Sequence, residues 1–167
     1  MNIVINRTRI KGEYCEGYLT IDGSARICST LENANGLVPS GDYVISLIKC
    51  KEYSRKMPVL KAASKRAESQ ASLSYPEREQ ARPQVNPAPP CDLCKKLPFV
   101  CTNSTLPCWC PMIKPGNGVH NRLDGSIIVG VYNCLGSIIK PRDIFDALYE
   151  RIRKSISRGN KVILCVK

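Results

Sequence analysis

Five cysteines fall within twenty residues of one another, as Cys91-x-x-Cys94, Cys101 and Cys108-x-Cys110, with prolines at 90, 98, 107 and 111. A CxxC turn brings two thiolates to one ion, and a second close pair completes a tetrahedral set, so Cys91, Cys94, Cys108 and Cys110 are the candidate metal ligands and zinc the candidate cofactor. The second pair is CxC rather than CxxC. Free thiols and disulfides therefore stay open beside zinc. KKLPFV after Cys94 does not open a helix that would stabilise a thiolate, which disfavours a thioredoxin-like redox role.

A second chemistry-bearing stretch is KPGNGVHNRLDGS, residues 114 to 126. Gly116, Asn117, Gly118, Asp124 and Gly125 are types that tolerate positive φ and turn backbone amides outward, a cradle for a phosphate or carboxylate beside Lys114 and Arg122. His120 is the sole histidine of the chain and sits within this loop. No Walker-type lysine pattern accompanies the glycines, so the same residues also read as a plain turn into the next strand.

With 25 Lys and Arg against 14 Asp and Glu, the net charge of +11 favours an acidic partner: nucleic acid, a nucleotide, a cell-wall polymer or an anionic membrane. The basic residues are spread along the chain, which fits simple solubility equally well. The last basic cluster, Arg151, Arg153, Lys154 and Arg158, lies on a helical segment, and Trp109 with Phe99 beside Lys95 and Lys96 offers stacking surfaces. The N-terminal stretch alternates and carries charge too early for a signal peptide, and no window approaches the length of a membrane span. The expectation is cytoplasmic synthesis with no transmembrane segment.

The elements that must position these residues read as follows. Asn2 to Arg7 and Tyr14 to Ile21 are strand-like, Asp22-Gly23 is a hairpin turn, and Ala25 to Leu31 and Asp42 to Cys50 continue a meander. Composition shifts at Lys61 to Ala, Ser, Glu, Gln, Arg and Pro, ending in ARPQVNPAPP. That stretch predicts a flexible insertion over 61–90, with at most a short helix near Leu60 to Leu73 whose apolar face is poor. Residues 91–110 form a separate knuckle-like segment. Ser126 to Tyr132 is nearly all apolar and reads as a core strand.

Pro141 suits a first helical turn, Ile144, Phe145, Leu148, Ile152 and Ile156 line one face, Gly159 ends it, and Lys161 to Val166 is a final strand. The fold class is α+β: a small antiparallel or mixed β-rich domain, split as 1–60 and 111–167, with one C-terminal amphipathic helix and a final strand. Cys15, Cys28, Cys50, Cys134 and Cys165 stand in apolar strand contexts and read as small core residues.

The order GYLTIDG, CSTLEN, LVPSGDYVISLIKCKEYSRKMPVL and IKPGNGVHNRLDGSIIVG resembles a domain family of unknown function found in bacteriophages, prophages and gut-type bacterial genomes. Residues 61–110 lie outside the resemblance. Members of that family carry a His two residues before the GN of the loop and a Cys after a later Gly, an order similar to the active site of L,D-transpeptidases, which implies cell-wall cross-linking or hydrolytic ancestry. Here those positions hold Lys114 and Ser126. A serine hydroxyl needs a positioned base, and a lysine serves as one only when its pKa is strongly lowered.

Three functional readings follow. The first is a phage- or prophage-type accessory domain, non-catalytic at the dyad positions, that binds an acidic ligand or partner through the 114–130 loop. The second is a divergent peptidoglycan peptide transferase or hydrolase using Lys114 and Ser126. The third is a zinc-dependent nucleic-acid-binding module. A phage-encoded chain would reside in the host cytoplasm or the virion.

Overall fold

The computed structural model describes residues 1–49, 53–63, 111–118, 126–134 and 136–167. Cys91, Cys94, Cys101, Cys108, Cys110 and the short helix considered beyond Ala63 lie outside the described residues, as do Cys50, Trp109, Phe99, Lys95 and Lys96.

Nine strands, one α-helix and a short 3-10 helix at Ala34–Gly36 carry the fold among these residues. The strands are β1 (Asn2–Lys11), β2 (Tyr14–Ile21), β3 (Cys28–Asn33), β4 (Gly41–Lys49), β5 (Lys56–Ala62), β6 (Ile113–Lys114), β7 (Ile127–Tyr132), β8 (Ile138–Ile139) and β9 (Ile163–Val166). The helix α1 spans Pro141–Ser157. The strand order is β5-β4-β9-β1-β2-β3-β7-β6, with β8 paired to β7. The two ends of this sheet meet. Val59 of β5 bridges Met112, and the Leu60 N–H donates to the Pro111 carbonyl at 2.8 Å, so the sheet curls until its outer strands touch. Curling back in this way removes edges that would otherwise pair with other chains.

The sequence patterns explain most of these elements. In β1 and β2 alternate residues are buried, Ile3 and Ile5 facing Ile21 and Leu19 across the antiparallel pair. Asp22 and Gly23 both adopt positive φ, 48° and 73°, which is the backbone that such an Asp-Gly turn requires. The third strand starts at Cys28 rather than Ala25, because Ser24 closes on the Ile21 carbonyl and the pairing resumes only with Leu19 opposite Cys28.

Two expectations are corrected. The first four strands do not form one meander: β4 pairs with β9, and β9 lies between β4 and β1, parallel to β1 and antiparallel to β4. The C-terminal strand, buried at Leu164 and Val166, fills the place between β4 and β1. Secondly, Lys56–Ala62 is a strand, not a lead-in to a helix from Leu60. Met57, Pro58, Val59 and Leu60 are all buried, and β5 pairs with β4 through to Ala62 opposite Tyr43. Two residues past the compositional boundary at Lys61 therefore belong to the sheet.

One hydrophobic cluster joins Ile3, Ile5, Leu19, Tyr43, Val129 and Leu164 of the sheet to Phe145, Leu148 and Ile152 of α1. Each such side chain contributes on the order of 1.5–3 kcal/mol by leaving water. The helix starts as its sequence implies, with Pro141 at the first turn and Asp143 complementing the dipole, although Lys140 at the N-cap is left-handed (φ 51°) and gives no side-chain cap. It ends in a Schellman motif: Gly159 at φ 77° donates to the Ile156 carbonyl at 3.0 Å and Asn160 to the Ser155 carbonyl at 3.1 Å. Among the described residues no helix is long and apolar enough to cross a membrane.

Candidate functional site

Lys114 and Ser126 arrive on neighbouring chain segments. Lys114 ends β6, which runs parallel to β7 with Ile113 opposite Ile127 and Lys114 opposite Ile128. The Ile127 N–H donates to the Met112 carbonyl at 2.9 Å, so Ser126 stands level with Met112, two residues behind the rung of Lys114. Ser126 immediately precedes β7. Standard sheet spacings put the Ser126 and Lys114 Cα atoms about 8 Å apart on the diagonal.

Their environments differ. Ser126 is 5% exposed, while Lys114 is half-buried. The face of Lys114 and its partner Ile128 carries a second, smaller hydrophobic cluster, Tyr14, Leu31, Ile128 and Ile138, separate from the main core. Leu31 and Ile128 are direct partners between β3 and β7. Ser126 is thus buried where β7 begins.

Two chain segments cover that layer, and the sequence pointed to only one of them. Residues 115–118 meet 136–138: Gly118 bridges Ser137, and the Ile138 N–H donates to the Asn117 carbonyl at 3.1 Å. The contact is close enough that a Cβ on Gly118 would stand 3.1 Å from the Gly136 carbonyl oxygen. Gly136, at φ 71°, lies on the Tyr14 ring, where a Cβ would come within 2.7 Å of a ring carbon. Asn133-Cys134-Leu135-Gly136-Ser137 is turn-like in composition and was the available signal for this second segment. What the sequence lacked was any sign that it folds back on Asn117 and Gly118.

Of the loop residues assigned to ligand binding, Gly116, Asn117 and Gly118 are among the described residues, and two of them make structural contacts: the Asn117 carbonyl accepts from Ile138 and Gly118 bridges Ser137. His120, Arg122, Asp124 and Gly125 lie outside the described residues. Cys134 is exposed, not a core residue, because the chain leaves β7 at Tyr132 and turns at the surface before β8. Cys15 and Cys28 are buried as expected, and Cys165 is half-buried. Burial pushes the Cys28 thiol up to about 11, and burial followed by the charge of Glu32 does the same for Cys15.

The TLE and PSGDY stretches resolve into a structural clamp. Glu32, 1% exposed, accepts from Arg7 and from the Val38 N–H at 3.2 Å, while Arg7 also donates to the Val38 carbonyl. The Tyr43 hydroxyl donates to the Pro39 carbonyl at 2.6 Å. These bonds fix the Pro39-Ser40-Gly41 turn against β1 and β3. They hold the frame of the sheet and leave the face of Ser126 to other residues.

No family model, curated protein or solved structure matches this chain.

Proposed function

We propose that this chain is a phage- or prophage-type accessory domain, non-catalytic at the positions of Lys114 and Ser126, that binds an acidic ligand through the 114–130 loop. The family part of this reading rests on the ordered TLE, PSGDY, PGN and GSIIVG motifs. The observation that carries the rest is the burial of Ser126. A serine that is 5% exposed, two residues behind the rung of Lys114, is a packing residue rather than a presented nucleophile. Replacement of a thiol by this hydroxyl also removes the nucleophile that works without a dedicated base.

The binding side of the reading draws on the net charge of +11 and on the glycine-rich backbone from Gly116 to Gly118, braced by Ser137 and Ile138. Backbone braced in this way at Asn117 and Gly118 loses less entropy on binding an anion.

The test treats the intact chain with an acylating serine probe and with purified peptidoglycan. No mass adduct at Ser126 and no released muropeptide are expected, whereas a nucleotide or soluble peptidoglycan fragment binds and Lys114→Ala weakens that binding. An adduct that disappears in Ser126→Ala overturns the reading in favour of a divergent peptide transferase or hydrolase. Equal binding by Lys114→Ala removes the loop as the ligand site.

A further inference from the structure

We infer that the part of β4 beyond Val44 is a docking edge for an extended acidic peptide segment of a partner protein, separate from the 114–130 loop. β4 runs from Gly41 to Lys49, but β9 pairs only with Gly41 to Val44, and the Ile45 N–H then donates to the Val162 carbonyl at 3.0 Å. Strand alternation turns the backbone N–H and C=O of Leu47 the same way as those of Ile45, past the point where the chain turns from α1 into β9. The other edge of β4 is taken by β5 through to Lys49 opposite Lys56. Curling brings the outer strands of the sheet together, yet the short β9 leaves this inner gap. An unpaired stretch of strand is a template for another backbone.

A hollow of about 620 Å³ lies along this edge, between β4 and α1. Val44, Ile45, Ser46 and Leu47 border it in succession. Consecutive residues point to opposite faces of a strand, so the hollow looks onto the edge of β4 and not onto one face. Its apolar lining comes from Leu47, Ile156 and Val162, and its size falls within the roughly 300–1,000 Å³ of ligand sites. A peptide with alternating side chains uses both features: its backbone bonds to Leu47, and every second side chain enters the apolar lining.

The rim sets the sign of the partner. Among the described residues no carboxylate lines the hollow, Arg153 is balanced by Glu150, and Lys56 and Lys161 border it without an ion pair. The C-terminal end of α1 sets roughly half a negative charge against these two lysines. A second copy of this chain would bring the same lysines to the same edge, in a chain of net charge +11, so charge opposes self-pairing. Acidic side chains alternating with apolar ones complement both the rim and the lining.

The probe is an acetylated, amidated peptide of about eight residues alternating valine and glutamate, titrated into the isotope-labelled full chain and followed by nuclear magnetic resonance. It should bind and slow hydrogen exchange at the Leu47 amide, while the Ser46 amide, which faces Val59 of β5, keeps the protection it had. N-methylation of alternate probe residues should abolish binding in one phase and spare it in the other, because only one edge of the probe meets β4. Lys56→Gln/Lys161→Gln changes two exposed side chains, with the melting temperature as folding control, and should weaken binding about three- to tenfold. Lys114→Ala should leave binding unchanged. Absence of binding, unchanged exchange at Leu47, equal tolerance of N-methylation in both phases, or equal binding by a valine-lysine peptide overturns the inference. So does unchanged affinity in the double lysine variant or loss of binding in Lys114→Ala. A dimer that protects the Leu47 amide without any peptide also overturns it, because a second copy is then the occupant.

Discussion

Arg7 holds the buried carboxylate of Glu32 with a fork of two hydrogen bonds, Nε to Oε1 at 3.0 Å and Nη2 to Oε2 at 2.7 Å. The pair joins β1 to β3 across β2, and through Val38 it reaches the turn that launches β4. Burial alone would draw the Arg7 pKa down, yet the hydrogen bond to Glu32 and its charge leave it raised. The charges compensate one another in a place where neither could stay alone. The side chains are 15% and 2% exposed, so loss of one partner strands the other out of water.

Glu32→Gln should therefore lower unfolding free energy by about 3–5 kcal/mol, the usual cost of breaking a buried pair from one side. Replacing both, as Arg7→Met/Glu32→Leu, should lose clearly less than the sum of the single changes, because no uncompensated charge is left. Urea unfolding of the four proteins in a double-mutant cycle measures this. Additive single effects below about 1 kcal/mol would show that the pair is not a structural centre.

The two buried thiols give the fold a pH dependence on the alkaline side. Cys15 and Cys28 stand near 11 against an ordinary 9.0, so the folded chain holds protons that the unfolded chain releases between those values. A raised folded pKa means that stability is fully present below about pH 9 and falls as pH rises through 11. Tyr43, pushed up to about 12 by burial, extends the same decline. Urea midpoints should fall between about pH 8.5 and about pH 10.5, and Cys15→Ala/Cys28→Ala should flatten the fall. Peptide mapping after brief thiol alkylation should find Cys134 modified well before Cys15 or Cys28, in line with its exposure.

How far the sequence leads depends on whether a signal is local. The Asp22-Gly23 turn, the apolar run Ile127–Tyr132 and the Phe145, Leu148 and Ile152 face each depend on nearest neighbours, and each is where its pattern places it. The place of β9 between β4 and β1 is a pairing between chain segments far apart, and nothing in KVILCV names its partners. Lys56–Ala62 contains Pro58 and two lysines, which hides a strand whose burial is decided by β4 and Met112. The site follows the same rule. The glycines of 116–118 announce a loop, but its contact with Gly136 to Ile138 arises only from the meeting of two separate segments.

That meeting depends on a residue without a side chain. At Gly130 a Cβ would stand 2.1 Å from the Ile138 Cγ2 and 2.9 Å from the Ile139 carbonyl oxygen. Gly130→Ala should cost about 1–3 kcal/mol through overpacking and loosen the segment from Ile138 onward. Hydrogen exchange should rise at Ile138, whose amide is bonded to Asn117, while amides of the β1–β2 pair keep their protection. Adding Ile138→Ala should relieve only part of the cost, since the Ile139 carbonyl remains in place. Full recovery in the double variant would show that the contact with the side chain alone sets the spacing.

Arg55 ties the hairpin between β4 and β5 to the helix by two kinds of contact that can be separated. Its guanidinium carbon lies 4.9 Å from the Phe145 ring centroid and 4.8 Å from that of Tyr149, and Nη2 meets Asp146 Oδ1 at 2.5 Å. The ion pair is open to water, with side chains 42% and 54% exposed, so it is worth at most about 1 kcal/mol and weakens with salt. Cation–π contacts at exposed sites contribute about 0.5–1 kcal/mol each. Arg55→Ala should then cost about 1–2 kcal/mol and Asp146→Asn less than about 0.5 kcal/mol, with Arg55→Lys in between because the planar group is lost and the charge kept. Thermal melts at low and high salt distinguish the two contacts. If Asp146→Asn costs as much as Arg55→Ala and salt abolishes the difference, the ion pair and not the ring stack holds the hairpin to α1.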